Sequence, residues 1–143
     1  MKIVLDTNIV IDAIASRAPF DKEAQEVVVL ATCGAILSAI TASTASDIYY
    51  LTRKYYRSAE KTAAVLHRLF ELVDVIAVDK SDCLGAFDTR MADYEDSLLA
   101  VCALKWNAEL IITRNIKDFA HSPVPAITPS EFLKRYNTAS LTP

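Results

Sequence analysis

The 143-residue sequence holds only two glycines, Gly34 and Gly85. Neither a G-x-G-x-x-G dinucleotide turn nor a Gly-rich P-loop can be written with them. Histidine is as scarce, since His67 and His121 are far apart and outside any H-E-x-x-H frame. The three cysteines, Cys33, Cys83 and Cys102, form no C-x-x-C pair, which argues against a thiolate zinc site. An odd set of thiols points instead to a reducing compartment. No apolar run approaches the ~20 residues that a membrane span needs. The opening Met1-Lys2-Ile3-Val4-Leu5-Asp6 puts a carboxylate where a signal peptide has its apolar segment. The expectation is a cytoplasmic protein with no membrane contact.

Apolar residues make up 52% of the chain, enough for a core of one domain. Eighteen acids against fifteen bases give a net charge of −3, which on its own argues against a nucleic-acid protein. The charge is unevenly placed, and the placement carries more than the sum.

Short β-type runs alternate with helical periodicity. Strands are expected at Lys2–Leu5, Ala35–Ser38, Val73–Val78 and Leu110–Thr113, with a short fifth at Val124–Ile127. Helices are expected at Asn8–Ala15, Asp21–Cys33, Thr41–Tyr56, Ser58–Leu72, Ser81–Met91 and Tyr94–Trp106. Thr128-Pro129-Ser130-Glu131 carries the cap, first-turn proline and acid that open a last helix to Tyr136. Strands that are short and apolar throughout belong to a parallel sheet covered on both faces. The reading is one α/β domain over 1–136, three-layered, with a central parallel sheet of four to five short strands and a flexible tail over 137–143.

Ligands of open α/β sheets bind beyond the carboxyl ends of the strands, and that rule ranks the acids. Asp6 follows the first strand. Asp47 lies on the helix after the second, beside apolar Ile48 and Leu51. Asp93-Tyr94-Glu95-Asp96 opens the most apolar helix, with Asp93 and Asp96 on one helical face. Thr113-Arg114-Asn115-Ile116-Lys117-Asp118 follows the fourth strand. Each has a simpler local account as a helix cap, a dipole partner or a turn residue. Together they sit where a parallel sheet can gather them. Gathered carboxylates repel, and a divalent cation offsets that repulsion. Oxygen ligands select a hard ion, Mg²⁺ or Mn²⁺, and the chemistry implied is phosphodiester hydrolysis.

The ordered motifs Leu5-Asp6-Thr7-Asn8, Ser38-x-Ile40 with Thr44-x-x-Asp47, Asp93-Tyr94-Glu95-Asp96-Ser97-Leu98-Leu99 and Thr113-Arg114-Asn115-x-x-Asp118-Phe119 resemble the PIN-domain family. The resemblance is to its prokaryotic branch of VapC-type toxins and covers nearly the whole chain. It implies a Mg²⁺- or Mn²⁺-dependent ribonuclease, the toxin of a toxin–antitoxin pair. The family's first acid corresponds to Asp6, the second to Asp47, and the third to Asp96 with Asp93 as a neighbouring candidate. The fourth corresponds to Asp118 or to Asn115. Catalysis is thus expected of Asp6, Asp47, Asp96 and Asp118, and metal binding of Asp6, Asp96, Asp93 and Asp118. Thr113 and Asn8 match supporting polar positions. RNA, a cognate antitoxin and a second copy of the chain are the partners the resemblance implies.

Two positions depart from the family pattern. Asp47 is one methylene shorter than the usual Glu, and Asn115 stands where many relatives carry Asp. The alternative reading is therefore a PIN module of weak or absent catalysis that acts by binding RNA or protein. A haloacid-dehalogenase-like phosphatase needs an acid where Asn8 stands, and no receiver-domain frame is present.

Five bases, Arg53, Lys54, Arg57, Lys61 and Arg68, face one acid, Glu60, between residues 53 and 68, with Tyr49, Tyr50, Tyr55 and Tyr56 interleaved or adjacent. This is either a path for RNA phosphates or a solvated helical face. Arg114 and Lys117, next to the acids, are the nearer candidates for the scissile phosphate.

Overall fold

A computed structural model describes residues 1–140, with side chains to Asn137. Strand β1 (Lys2–Leu5) runs straight into helix α1 (Thr7–Ile14), with Asp6 as the helix cap. Helix α2 (Asp21–Thr32) is followed by Gly34 at φ +76, the left-handed turn that ends many helices. Next come strand β2 (Leu37–Thr41), helix α3 (Ala42–Tyr56), helix α4 (Ala59–Leu72) and strand β3 (Asp74–Ile76). Helix α5 (Lys80–Gly85) leads through a 3₁₀ turn (Ala86–Asp88) to helix α6 (Tyr94–Lys105). Strand β4 (Leu110–Ile112), a second 3₁₀ turn (Ile116–Phe119), strand β5 (Ala126–Ile127) and helix α7 (Pro129–Ser140) complete the order.

The five strands pair in the order β3-β2-β1-β4-β5, all parallel. The register sets Val4 opposite Ala39 on one side and Ile111 on the other. Innermost β1 is apolar on both faces because both faces are covered. Ile3 and Leu5 pack with α1, α2, α3, α4 and α7 through residues such as Ile9, Val27, Ile48, Leu66 and Phe132. Val4 points the other way, into Leu98, Leu99, Cys102 and Ala103 of α6. This is the expected three-layer arrangement. Truncating a fully buried side chain such as Leu5 to Ala removes about 2–5 kcal/mol, a large part of the stability of a domain this size.

The structure moves several boundaries. Strand β2 begins at Leu37 rather than Ala35, because its pairing starts opposite Lys2 of β1 and continues to Thr41 opposite Ile76 of β3. Thr41 then caps α3 with a capping box closed by Thr44. The helix expected over Ser81–Met91 stops at Gly85 and tightens into the 3₁₀ turn. Thr89 ends that turn in extended conformation, its hydroxyl donating to Ala86 O at 3.2 Å and Ser97 Oγ at 2.9 Å. Strand β3 is shorter than expected, as an edge strand with one neighbour. Pro125 lacks the N–H of a full strand residue, and β5 keeps only Ala126 and Ile127. Helix α7 runs past Tyr136, and residues 141–143 of the expected tail lie outside the described residues. Among the described residues no helix is long and apolar enough to cross a membrane.

Candidate active site

Chain order reverses between β1 and β4, since β2 and β3 lie on one side of β1 and β4 and β5 on the other. Such a switch point leaves a crevice beyond the carboxyl ends of the two strands. Asp6 leaves β1 there and Thr113 leaves β4. Their backbones stay in register, with Asp6 N donating to Ile112 O at 3.0 Å. The fully buried Thr113 hydroxyl donates to Asp6 Oδ2 at 2.7 Å. Asn8 Nδ2 reaches the same oxygen at 3.1 Å, and Thr7 N donates to Asp6 Oδ1 at 2.7 Å. One carboxylate is thus gripped by three donors. Thr113 Oγ1 also accepts from Asn115 N at 3.0 Å, which fixes the loop after β4.

This corner is one end of a cleft of about 490 Å³. Asp6, Asn8, Asp47, Glu95, Asp96 and Asn115 line it, with Thr44, Tyr50 and Leu51 of α3 on one wall and Arg17 and Arg114 at another. Asp47, Tyr50 and Leu51 follow helical spacing along α3, and Lys54 continues that face outward. Asp93 is the cap of α6, its Oδ1 accepting from Asp96 N at 2.9 Å, and does not line the cleft. Lys117 and Asp118 lie in the 3₁₀ turn Ile116–Phe119, also off the cleft wall. Arg53, Lys54 and Arg57 stand beyond it at the carboxyl end of α3.

The carboxylates feel one another. Burial pushes the Asp6 carboxyl up from 3.8, against the lowering effects of the Thr113 hydroxyl, the Thr7 amide, the Arg114 charge and Asn8. Asp96 is pushed up to about 7, first by burial and then by the charges of Asp6, Asp93 and Asp118. Asp118 therefore acts on the site through space, although it does not touch the cleft. Glu95 is also raised to about 7, first by its hydrogen bond to Asp47, then by burial and by the charges of Asp47, Asp93 and Asp96. A hydrogen bond between two carboxyls requires a proton between them.

Glu95 is the site residue that sequence reasoning passed over. It lies next to Asp96 in the first turn of α6, where an acid reads as a partner of the helix dipole. Its link to Asp47 joins elements far apart in sequence. Asp12 was also passed over. It lies fully buried on α1 and holds Arg114, whose Nε and Nη2 reach its carboxylate at 2.6 and 3.3 Å. A signal was present in the sequence, because Asp12 interrupts the apolar run Ile9-Val10-Ile11.

The donors at the crevice are all oxygens, which suits a hard cation rather than zinc. Among the described residues no group of three or more acids, histidines or cysteines forms a ready-made metal cage. Mg²⁺ needs none, since it is commonly held by one or two carboxylates, with water and substrate phosphate completing its shell. Asp6 and Asp96 are two carboxylates that line this one crevice.

The sequence profile of the PIN domain matches residues 2–117. The chain belongs to the PIN-domain family. This PIN domain is 22% identical over 142 residues to the ribonuclease VapC1 of Aquifex aeolicus, covering 96% of each chain. Its fold is similar to that in the VapBC2 structure from Rickettsia felis bound to a promoter DNA fragment, with a TM-score of 0.68, 21% identity, and coverage of 90% of this chain and 98% of that one. A toxin–antitoxin complex from Klebsiella pneumoniae matches with a TM-score of 0.65 and 24% identity, over 89% of this chain and 97% of that one. The central sheet and flanking helices of this PIN domain are the shared fold.

Proposed function

We propose that this PIN domain is a Mg²⁺- or Mn²⁺-dependent ribonuclease, the toxin of a toxin–antitoxin pair. One observation carries the reading. Asp6 and Asp96 line one switch-point crevice, where burial penalises both anions and the Asp6 charge adds to the penalty on Asp96. A divalent cation relieves that penalty, activates water and neutralises charge on a phosphodiester. In this reading Asp6 and Asp96 hold the ion. Thr113, Asn8 and Thr7 orient Asp6. Asp47 and Glu95 form a second carboxyl arm on the α3 side, and Asp93 and Asp118 add negative potential from outside. RNA runs from the crevice along α3, over Tyr50 toward Lys54, Arg53 and Arg57. Stacking on tyrosine and contact with phosphate both tolerate sequence variation, which suits single-stranded RNA.

The VapC1 relative is named a ribonuclease, and the Klebsiella structure is a toxin–antitoxin complex. These names support a cognate antitoxin and RNA as partners here, with self-association by the same analogy. The free thiols Cys33, Cys83 and Cys102 suit the reducing cytoplasm. The competing module that binds without cutting draws support from the lack of a ready-made metal cage among the described residues.

The test is cleavage of single-stranded RNA with Mg²⁺, Mn²⁺ or EDTA, run beside Mn²⁺ titration. Metal-dependent cleavage that disappears in Asp6→Asn and Asp96→Asn, with both variants folded, supports the nuclease. RNA binding without cleavage, unaffected by metal, selects the binding module.

A further inference from the structure

Asp12 carries a charge in the interior of α1, at 0% exposure. A buried carboxylate persists only when paired, and here the pairing is elaborate. Arg114 comes from the loop after β4 and grips it through Nε and Nη2. Arg17 comes from the turn after α1, its Nε 3.7 Å from Asp12 Oδ1. The chain turns back there through Ser16 at φ 49, and Arg17 N donates to Asp12 O at 3.1 Å. The Phe20 ring lies under the Arg114 guanidinium, 4.1 Å from ring centroid to Cζ.

A strut between α1 and the β4 loop needs only one arginine. This structure has two, and both line the cleft that holds Asp6 and Asp96. Arg17 keeps half of its side chain exposed and Arg114 about a quarter. The two bonds to Asp12 use the Nε–Nη2 side of Arg114. Nη1 and the outer N–H of Nη2 are left as a fork, the shape that suits phosphate. Two cations against one buried anion leave a net positive rim facing an acidic wall.

We propose that Arg17 and Arg114 form a phosphate clamp at the cleft rim, held ready by Asp12 and Phe20, for a backbone phosphate of single-stranded RNA. The proposal rests on the ribonuclease reading and adds to it a binding site in which Asp12 is a positioning residue. Prior anchoring lowers the ordering cost of binding, because Arg114 is held before RNA arrives.

The experiment is a salt titration of a fluorescein-labelled, mixed-sequence single-stranded RNA in EDTA, read by anisotropy, with cleavage in Mn²⁺ measured in parallel. Arg17→Gln is the principal variant, because Arg17 is half exposed and its loss leaves the Arg114–Asp12 pair intact. The expected result is about tenfold weaker binding, as for loss of one charge-assisted contact. The slope of log K against log[salt] becomes shallower by about 0.7, the value for one single-strand phosphate contact. The melting temperature stays within a few degrees. Arg17→Lys restores the slope. Arg114→Lys, which keeps charge near Asp12 but loses the fork, raises KM more than it lowers kcat. An unchanged slope and affinity in Arg17→Gln, with RNA still cleaved, overturns the clamp and leaves the ribonuclease standing. Failure of the unsubstituted protein both to bind and to cleave RNA overturns both.

Discussion

Replacing Asp96 with Asn should stabilise the metal-free protein at neutral and alkaline pH. The Asp96 carboxylate makes no hydrogen bond among the described residues, so the amide forfeits none. Its pKa rises from 3.8 to about 7. At ~1.36 kcal/mol per pKa unit such a change would reach about 4 kcal/mol in a fully buried site. Asp96 is only partly buried, and solvent screening brings the expected effect to about 1–2 kcal/mol. The folded value lies above the unfolded one, so the group's stabilising contribution is full below about pH 4 and is lost as pH rises through about 7. Urea unfolding followed by circular dichroism, in EDTA from pH 4 to pH 8, reads this directly. Asp96→Asn should exceed the unsubstituted protein by about 1–2 kcal/mol at pH 8, and the gap should close toward pH 4. Millimolar Mg²⁺ should stabilise the unsubstituted protein and leave the variant unmoved. A variant that is less stable at pH 8, or a gap that is the same at both ends, refutes the argument from burial and repulsion.

Thr113→Val keeps the shape but removes the donor to Asp6 and the acceptor for Asn115 N, and should lower stability by about 1–3 kcal/mol in thermal or urea unfolding. Mn²⁺ affinity by calorimetry should fall with it, since Asp6 loses a donor that orients it. Glu95→Gln removes a carboxyl whose pKa is raised to about 7, and should flatten the pH dependence of stability near pH 7 without unfolding the protein. Gly34→Ala places a side chain at φ +76, where nothing crowds it but the backbone is strained, and should cost about 1 kcal/mol in urea unfolding.

The elements that set the site were readable because their signals are local. Asp6 and Thr113 each close a short apolar run that reads as a strand of a parallel sheet covered on both faces, and the strand-end rule puts both at one edge of that sheet. The start of β2 was not readable. The run Ala35-Ile36-Leu37-Ser38 is apolar enough to begin anywhere, and pairing with Lys2 decides it. The break in α5 depends on Thr89 reaching Ser97 of another helix. Glu95 and Asp12 share that dependence, since each takes its meaning from a partner on another element. Arg114 was read as a phosphate contact from its position after β4. Its grip on Asp12 emerged only with the fold.

The bond from Thr113 to Asp6 spans 107 positions of sequence. Translation delivers Asp6 and Asp47 long before β4, and Glu95 and Asp96 shortly before it. A nascent or truncated chain that ends before Leu110 carries these acids, but β1 lacks the neighbour that closes the crevice and Asp6 lacks its hydroxyl donor. On the ribonuclease reading proposed above, this order of assembly acts as a safety catch: the crevice is completed only when synthesis of the domain is nearly finished.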